Sequence, residues 1–203
     1  MGWRYSRGRR SGLLAEEEVL LVRSAQRGEP EAFDRLVDWY APGIYNFALR
    51  MLQSAEEAED AAQEAFVRAY TSLRQFRGRS SFATWLHRVA MNVCLDQIKR
   101  RRRQPFSLAR EDPPTEPRLP ASEGDPASAA ERRERQAIIR SAIDSLPEAQ
   151  RAIVVLYDLE GLSYQECAQA LNTSVGTVKS RLNRARLALK TKLAPQLELL
   201  RSG

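Results

Sequence analysis

Histidine and cysteine are almost absent from this chain of 203 residues, which has one His and two Cys. With His87 alone, a His-based zinc site or catalytic dyad has almost nothing to work with. Cys94 and Cys167 stand far apart, outside any C-x-x-C spacing, each within a predicted helix. Buried reduced thiols are expected, with a disulfide as the alternative. No apolar run approaches the length of a membrane span, so a soluble chain is expected. The basic N-terminus MGWRYSRGRRSG has no apolar segment behind it and reads as a disordered arm over residues 1–13. Strand alternation, internal repeats and glycine-rich phosphate loops are missing. No catalytic residue, metal site, cofactor or small-molecule substrate suggests itself.

Positive charge is plentiful. The net charge is +6 with a pI near 9.7, which favours a polyanionic partner. It is unevenly spread. Residues 1–103 hold 18 Lys/Arg against 13 Asp/Glu, residues 104–130 hold 2 against 5, and residues 131–203 hold 12 against 8. The acidic middle stretch also contains six of the ten prolines and reads as an extended linker. Two basic blocks therefore flank an acidic connector.

Helical periodicity fills both blocks, and the fold expected is all-α: two small helical domains, at 14–103 and 131–195. In the first, a short amphipathic helix (Glu16 to Gln26, with Val19, Leu20 and Val22) closes at Gly28. A longer helix starts at Pro30 and runs to about Leu52, with a kink expected at Pro42-Gly43. Ser54 and Glu57 have capping-box spacing. The helix behind them carries an apolar stripe from Ala58 through Ala61, Ala65, Ala69 and Tyr70 to Leu73, with Glu56, Glu59, Asp60 and Gln63 on its other face. A helix from about Ser81 to Arg103 follows a loop containing Gly78. In the second domain, helices are expected at 129–146 and 148–159.

The most informative stretch is LSYQECAQALNTSVGTVKSRLNRARLAL, residues 162–189. Ser163 and Glu166 form a capping box, and Asn172, Thr173 and Ser174 break the periodicity. A second helix then places Val175, Val178, Leu182, Ala185 and Leu189 on one side. From Ser174 to Lys192 there are six Lys or Arg and no acid. This is a helix-turn-helix whose second helix has cations for phosphates and polar groups for base edges. A solvated amphipathic helix is the bland alternative.

Four stretches together resemble the extracytoplasmic-function (ECF) branch of the sigma-70 family, bacterial RNA polymerase sigma factors: EEAEDAAQEAFVRAY (56–70), FRGRSSFATWLHRVAMNVCLDQIKRR (76–101), SLPEAQRAIVVLYDLEGLSYQECAQAL (145–171) and VGTVKSRLNRAR (175–186). The resemblance covers roughly residues 14–193. It implies a protein that binds core RNA polymerase through its clamp and flap surfaces, directs promoter recognition, melting and initiation, has no catalytic site of its own and works in the cytoplasm. It also implies an anti-sigma factor as partner, which can sequester the protein at the membrane. By the same resemblance, residues 14–103 correspond to sigma region 2 and residues 131–195 to sigma region 4.

Site residues follow from the resemblance beside the chemistry. Opening a duplex without ATP requires capture of the displaced strand by cations and planar groups. Arg77, Arg79, Ser80, Ser81, Phe82, Trp85, Arg88, Asn92, Asp96, Lys99 and Arg100 are the candidates for minus-10 DNA. For Phe82 and Trp85 core packing is the alternative; for the cations at 99–103 it is placement at a helix C-terminus. Glu56, Glu59, Asp60 and Gln63 would repel DNA and are assigned to polymerase. Thr177, Lys179, Ser180, Arg181, Asn183, Arg184 and Arg186 are the candidates for minus-35 DNA; for Arg181 and Arg186 the choice is between backbone phosphates and packing against the domain. A stand-alone helix-turn-helix regulator is the competing reading. A nucleic-acid enzyme, lacking paired carboxylates and phosphate loops, is a distant third.

Overall fold

A computed structural model describes residues 12–103 and 126–202, with side chains described over 16–103 and 134–195. Most of the expected basic arm and of the acidic connector falls outside the described residues. Helix α1 spans Gly12–Gln26, α2 Pro30–Leu52, α3 Ala55–Ser72 and α4 Phe82–Arg103. Helix α5 spans Pro126–Asp144, α6 Glu148–Val154, α7 Tyr164–Ala170 and α8 Val175–Ser202. Among the described residues there is no strand.

Local chemistry sets the boundaries. Gly28, at φ +96°, turns the chain out of α1. Pro30 opens α2, where its missing N–H is not needed. The kink expected at Pro42-Gly43 does not end α2, which continues to Leu52. Ser54 caps α3 by accepting the Glu57 N–H at 3.3 Å. The second half of that capping box does not form, because the Glu57 carboxylate pairs with Arg101 at 3.2 Å instead. Ser81 caps α4 by accepting the Thr84 N–H at 3.1 Å.

The first domain packs α2 against α1, α3 and α4 around Leu36, Ile44, Phe47, Met51, Leu86 and Met91, all fully buried. Helix α3 contributes Ala58, Ala61, Ala62, Ala65 and Ala69, whose small side chains bring the α2 and α4 backbones close. Two expectations are corrected here. Val19 and Leu20 point outward and Leu21, Val22 and Ala25 point in; Tyr70 is 49% exposed, with its ring edge-on to Phe33 at 5.0 Å.

The second domain gathers α5, α6 and α7 on α8 around Ile143, Ile153, Val155, Leu156, Cys167, Val178, Leu182 and Ala185. Helix α5 starts at Pro126, inside the stretch read as linker to residue 130; proline suits a first helical turn. The single helix expected over 148–159 is divided. Its second half is a π turn, Val155–Leu159, in which the Glu160 N–H reaches back to the Val155 carbonyl at 2.9 Å. Both halves of the Ser163/Glu166 capping box are present on α7. Asn172, at φ +47°, makes the turn, and Ser174 caps α8 by accepting the Thr177 N–H at 3.1 Å. The two domains touch, α4 lying on α7 and α2 on α6 and the π turn.

Candidate nucleic-acid and protein interfaces

The loop before α4 is held from α1. Gln26 Nε2 donates to the carbonyls of Leu73 (3.0 Å) and Phe76 (2.8 Å), fixing the point where the loop leaves α3. Beyond that anchor Arg77 and Arg79 are exposed, Ser80 is half-buried and Ser81 spends its side chain on the α4 cap. A cleft of about 600 Å³ opens between α1 and the loop, with Val19, Val22, Phe76 and Phe82 on its apolar side and Arg23, Arg77 and Ser80 at its polar edge.

Phe82 is 4% exposed, so it belongs to the core, and only the edge lining the cleft faces outward. Trp85 is half-buried, its ring 5.2 Å from Phe76 and 5.6 Å from Phe82. Along α4, Arg88, Asn92, Lys99 and Arg100 are exposed at spacings that share a face. Asp96 on that face is half-buried and pairs with Arg68 at 3.2 Å. Arg68 also holds Glu64, and these two carboxylates, Glu64 foremost, push its guanidinium pKa up. Of the cation run, Arg101 pairs with Glu57 and Arg102 with Glu148, leaving Lys99, Arg100 and Arg103 as exposed cations with no ion pair among the described residues.

Helix α3 presents Glu56, Glu59, Asp60 and Gln63, all exposed. The structure adds what the sequence reading missed: Val67, 63% exposed, and Tyr70 continue this stripe toward the C-terminal end of α3. The signal in the sequence was the spacing 56, 60, 63, 67, 70, obscured for Tyr70 by its aromatic character.

Helix α8 divides its cations. Lys179, Ser180, Asn183 and Arg184 are exposed, while Val178, Leu182 and Ala185 are buried beneath them. Arg181 is half-buried, and Thr177 shares a 2.9 Å hydrogen bond with Ser174 at the cap. Lys179 Nζ lies 5.5 Å from the Tyr164 ring centre. Arg186 is engaged inside the domain, paired with Asp158 and lying over the Tyr157 ring at 5.4 Å. Its bond to Asp158 raises its pKa. The exposed α8 face therefore reads 179, 180, 183, 184.

Both cysteines are free and buried, and burial pushes each thiol up to about 12. Among the described residues no group of three His, Cys, Asp or Glu could hold a metal ion, and no helix is long and apolar enough to cross a membrane.

Residues 36–104 match the family described as Sigma-70 region 2, and residues 136–189 match Sigma-70, region 4. The chain is 39% identical over 195 residues to the RNA polymerase sigma-H factor of Pseudomonas aeruginosa, covering 91% of this chain and 98% of that protein. The chain belongs to the ECF branch of the sigma-70 family. The ECF RNA polymerase sigma factor SigW of Bacillus subtilis is 37% identical, covering 85% of this chain and 94% of that one. Among solved structures, this sigma factor is similar to CnrH in complex with the cytosolic domain of CnrY: 25% identity, TM-score 0.66, 88% of this chain and 98% of that chain. The sigma factor RpoE of Bartonella quintana, in complex with the anti-sigma factor NepR, shares the fold at 24% identity, with TM-score 0.64 over 80% of this chain and 96% of that one. As a sigma factor, the protein binds core RNA polymerase and directs promoter recognition and initiation.

Proposed function

We propose that three exposed helix faces divide the work of initiation. The α3 face, Glu56, Glu59, Asp60 and Gln63 with Val67 and Tyr70 beyond, docks on a basic surface of the polymerase clamp. The loop with Arg77, Arg79 and Ser80, and the α4 face with Arg88, Asn92, Lys99 and Arg100, capture and read the opened minus-10 strand. The α8 face, Lys179, Ser180, Asn183 and Arg184, reads minus-35. Region 2 thus docks and melts, and region 4 anchors upstream. The protein acts by binding, without a catalytic site, in the cytoplasm. An anti-sigma factor is its regulatory partner, as NepR is for the relative of like fold.

The observation that carries this reading is the sorting of charge among exposed faces. Helix α3 offers three exposed carboxylates, Glu56, Glu59 and Asp60, and no cation within Glu56–Gln63, whereas α8 has no acid from Ser174 to Lys192. An acidic face is repelled by DNA and suits a basic protein; a cationic helix with short polar groups suits a groove. Strand capture by the α4 end offsets an opening that costs about a few kcal/mol per unstacked base.

Run-off transcription with purified core polymerase on a promoter library tests the reading. Transcripts that appear only with this protein, from starts sharing two spaced motifs, are expected. Silence in that assay together with tight duplex binding by the protein alone would overturn it in favour of a stand-alone regulator.

A further inference from the structure

Two cations and two aromatic rings form a column beside α8. Tyr157 of the π turn and Tyr164, the first residue of α7, stack with ring centres 4.5 Å apart and planes 16° from parallel. That gap leaves no room for a third group between them, so a cation over either ring takes its outer face. Lys179 Nζ stands 5.5 Å from the Tyr164 centre, and the Arg186 guanidinium 5.4 Å from the Tyr157 centre. On α8 these two cations are separated by two helical turns, about 10.5 Å of rise. The order of the column is therefore Lys179, Tyr164, Tyr157, Arg186, drawn from the π turn, α7 and α8.

The two ends of the column differ. At one end Arg186 is paired with Asp158, the neighbour of Tyr157 in the chain. At the other, Lys179 is exposed and has no ion pair among the described residues. Arg184, the other cation on the exposed α8 face, is held from its own helix, Nε to the Ser180 carbonyl at 3.4 Å. Lys179 is held from a different element. A free lysine side chain loses rotamer freedom when it settles on a phosphate. A ring face attracts the ammonium and engages one side of it. The ammonium has three N–H groups, so those turned away from the ring remain for a phosphate oxygen. A cation held before the duplex arrives carries a smaller ordering cost on binding.

We propose that Tyr164 is a positioning residue for minus-35 recognition: its ring, backed by Tyr157, holds the Lys179 ammonium where it meets a phosphate of the duplex, and the tyrosine itself touches no DNA. Arg186 and Asp158 close the far end of the column and serve the packing of the domain. This inference rests on the assignment of the α8 face to minus-35 made above.

Holoenzyme reconstituted with core polymerase, titrated on a fluorescent promoter duplex carrying both elements from about 50 to about 200 mM salt, tests it. Lys179→Ala is expected to weaken binding and to flatten the plot of log affinity against log salt by about 0.9, the share of one phosphate contact. Tyr164→Leu is expected to weaken binding roughly three- to fivefold at the wild-type slope, because the cation remains and only its placement is lost. Tyr164→Phe keeps the ring and is expected to match the wild type. In the Lys179→Ala background, Tyr164→Leu is expected to cost nothing further. A loss in Tyr164→Phe equal to that in Tyr164→Leu overturns the proposal, since the hydroxyl and not the ring face would then matter. A fully additive loss in the double variant overturns it as well. Should Tyr164→Leu lower the melting temperature, the double variant still decides, because a packing defect adds to Lys179→Ala and lost positioning does not. Failure of the underlying assignment looks different: Lys179→Ala then keeps wild-type affinity and slope, and the positioning role falls with it. An effect of Lys179→Ala with Tyr164→Leu silent keeps the assignment and sinks the positioning role alone.

Discussion

Thr84 on α4 and Glu166 on α7 share a hydrogen bond of 2.8 Å that joins the start of α4, just after the 76–81 loop, to the cap of the helix-turn-helix. On one side Thr84 Oγ1 meets Ser81 Oγ at 2.7 Å, at the end of the loop. On the other, the second oxygen of Glu166 accepts the Ser163 N–H at 2.8 Å, closing the α7 capping box. One carboxylate therefore serves a local cap and a contact between domains. The two roles separate by mutation. Ser163→Ala should lower stability by about 1 kcal/mol, the usual loss for a helix cap. Glu166→Ala should lower it further, and a double-mutant cycle of Thr84→Val with Glu166→Ala should show coupling of about 0.5–1.5 kcal/mol in urea denaturation. Additive effects would mean that the bond between the domains contributes nothing.

Asp60→Arg should weaken binding to core polymerase at least roughly tenfold while leaving folding within about 0.5 kcal/mol, since Asp60 is exposed. Val67→Asp should act in the same direction, because a 63% exposed valine adjoining the acidic face has no packing role large enough to explain a loss. Fluorescence anisotropy of labelled protein against core enzyme measures both. Unchanged affinity in Val67→Asp would shorten the docking face to residues 56–63.

Arg184→Ala should reduce initiation about tenfold on promoters that depend on a minus-35 element and leave others unaffected. Arg186→Ala should behave differently. Its guanidinium is tied to Asp158 and Tyr157, so the change should lower the stability of the second domain and affect all templates in proportion. Thermal unfolding beside run-off assays on both template classes distinguishes them; matching template profiles for the two variants would contradict the division of cations on α8.

Cys94 and Cys167 should resist alkylation in the native protein and react in denaturant. Burial raises each thiol from 9.0 to about 12, so folded protein keeps protons that the unfolded chain sheds. Stability from this source is complete below about pH 9 and falls as pH rises toward about 12. Urea midpoints from pH 8 upward should decline in the wild type and decline less in a Cys94→Ala, Cys167→Ala variant. Equal slopes would assign the alkaline loss to other groups.

Where the sequence was legible, a local rule and a global constraint coincided. Helix α2 began at Pro30 and ended at Leu52 as read, because proline, a left-handed Gln53 and a strict apolar stripe agree. The helix-turn-helix was legible for the same reason. Misreadings came where tertiary partners override local preference. Glu57 left its capping box for Arg101, a residue far along the chain. For Arg186, read as touching phosphates or packing against its domain, Asp158 supplies a domain partner that spacing alone does not show. For Phe82, where stacking and core packing were both open, its neighbours across the fold make it core. The π turn has no pattern of its own in VLYDL, and the bond between Thr84 and Glu166 lay beyond reach because it joins residues of two domains, each ordinary within its own helix.

The π turn at Val155–Leu159 also acts as a phase setter. Deleting one residue there would restore 3.6-residue winding and rotate the chain that follows by about 100° relative to α6. Every residue of α7 and α8 would be unchanged, yet their orientation toward the rest of the molecule would not. The aim of the upstream reading head is therefore written outside the helix-turn-helix, in five residues that touch no DNA in this scheme. Chimaeras that transplant only the helix-turn-helix would carry its alphabet without its bearing.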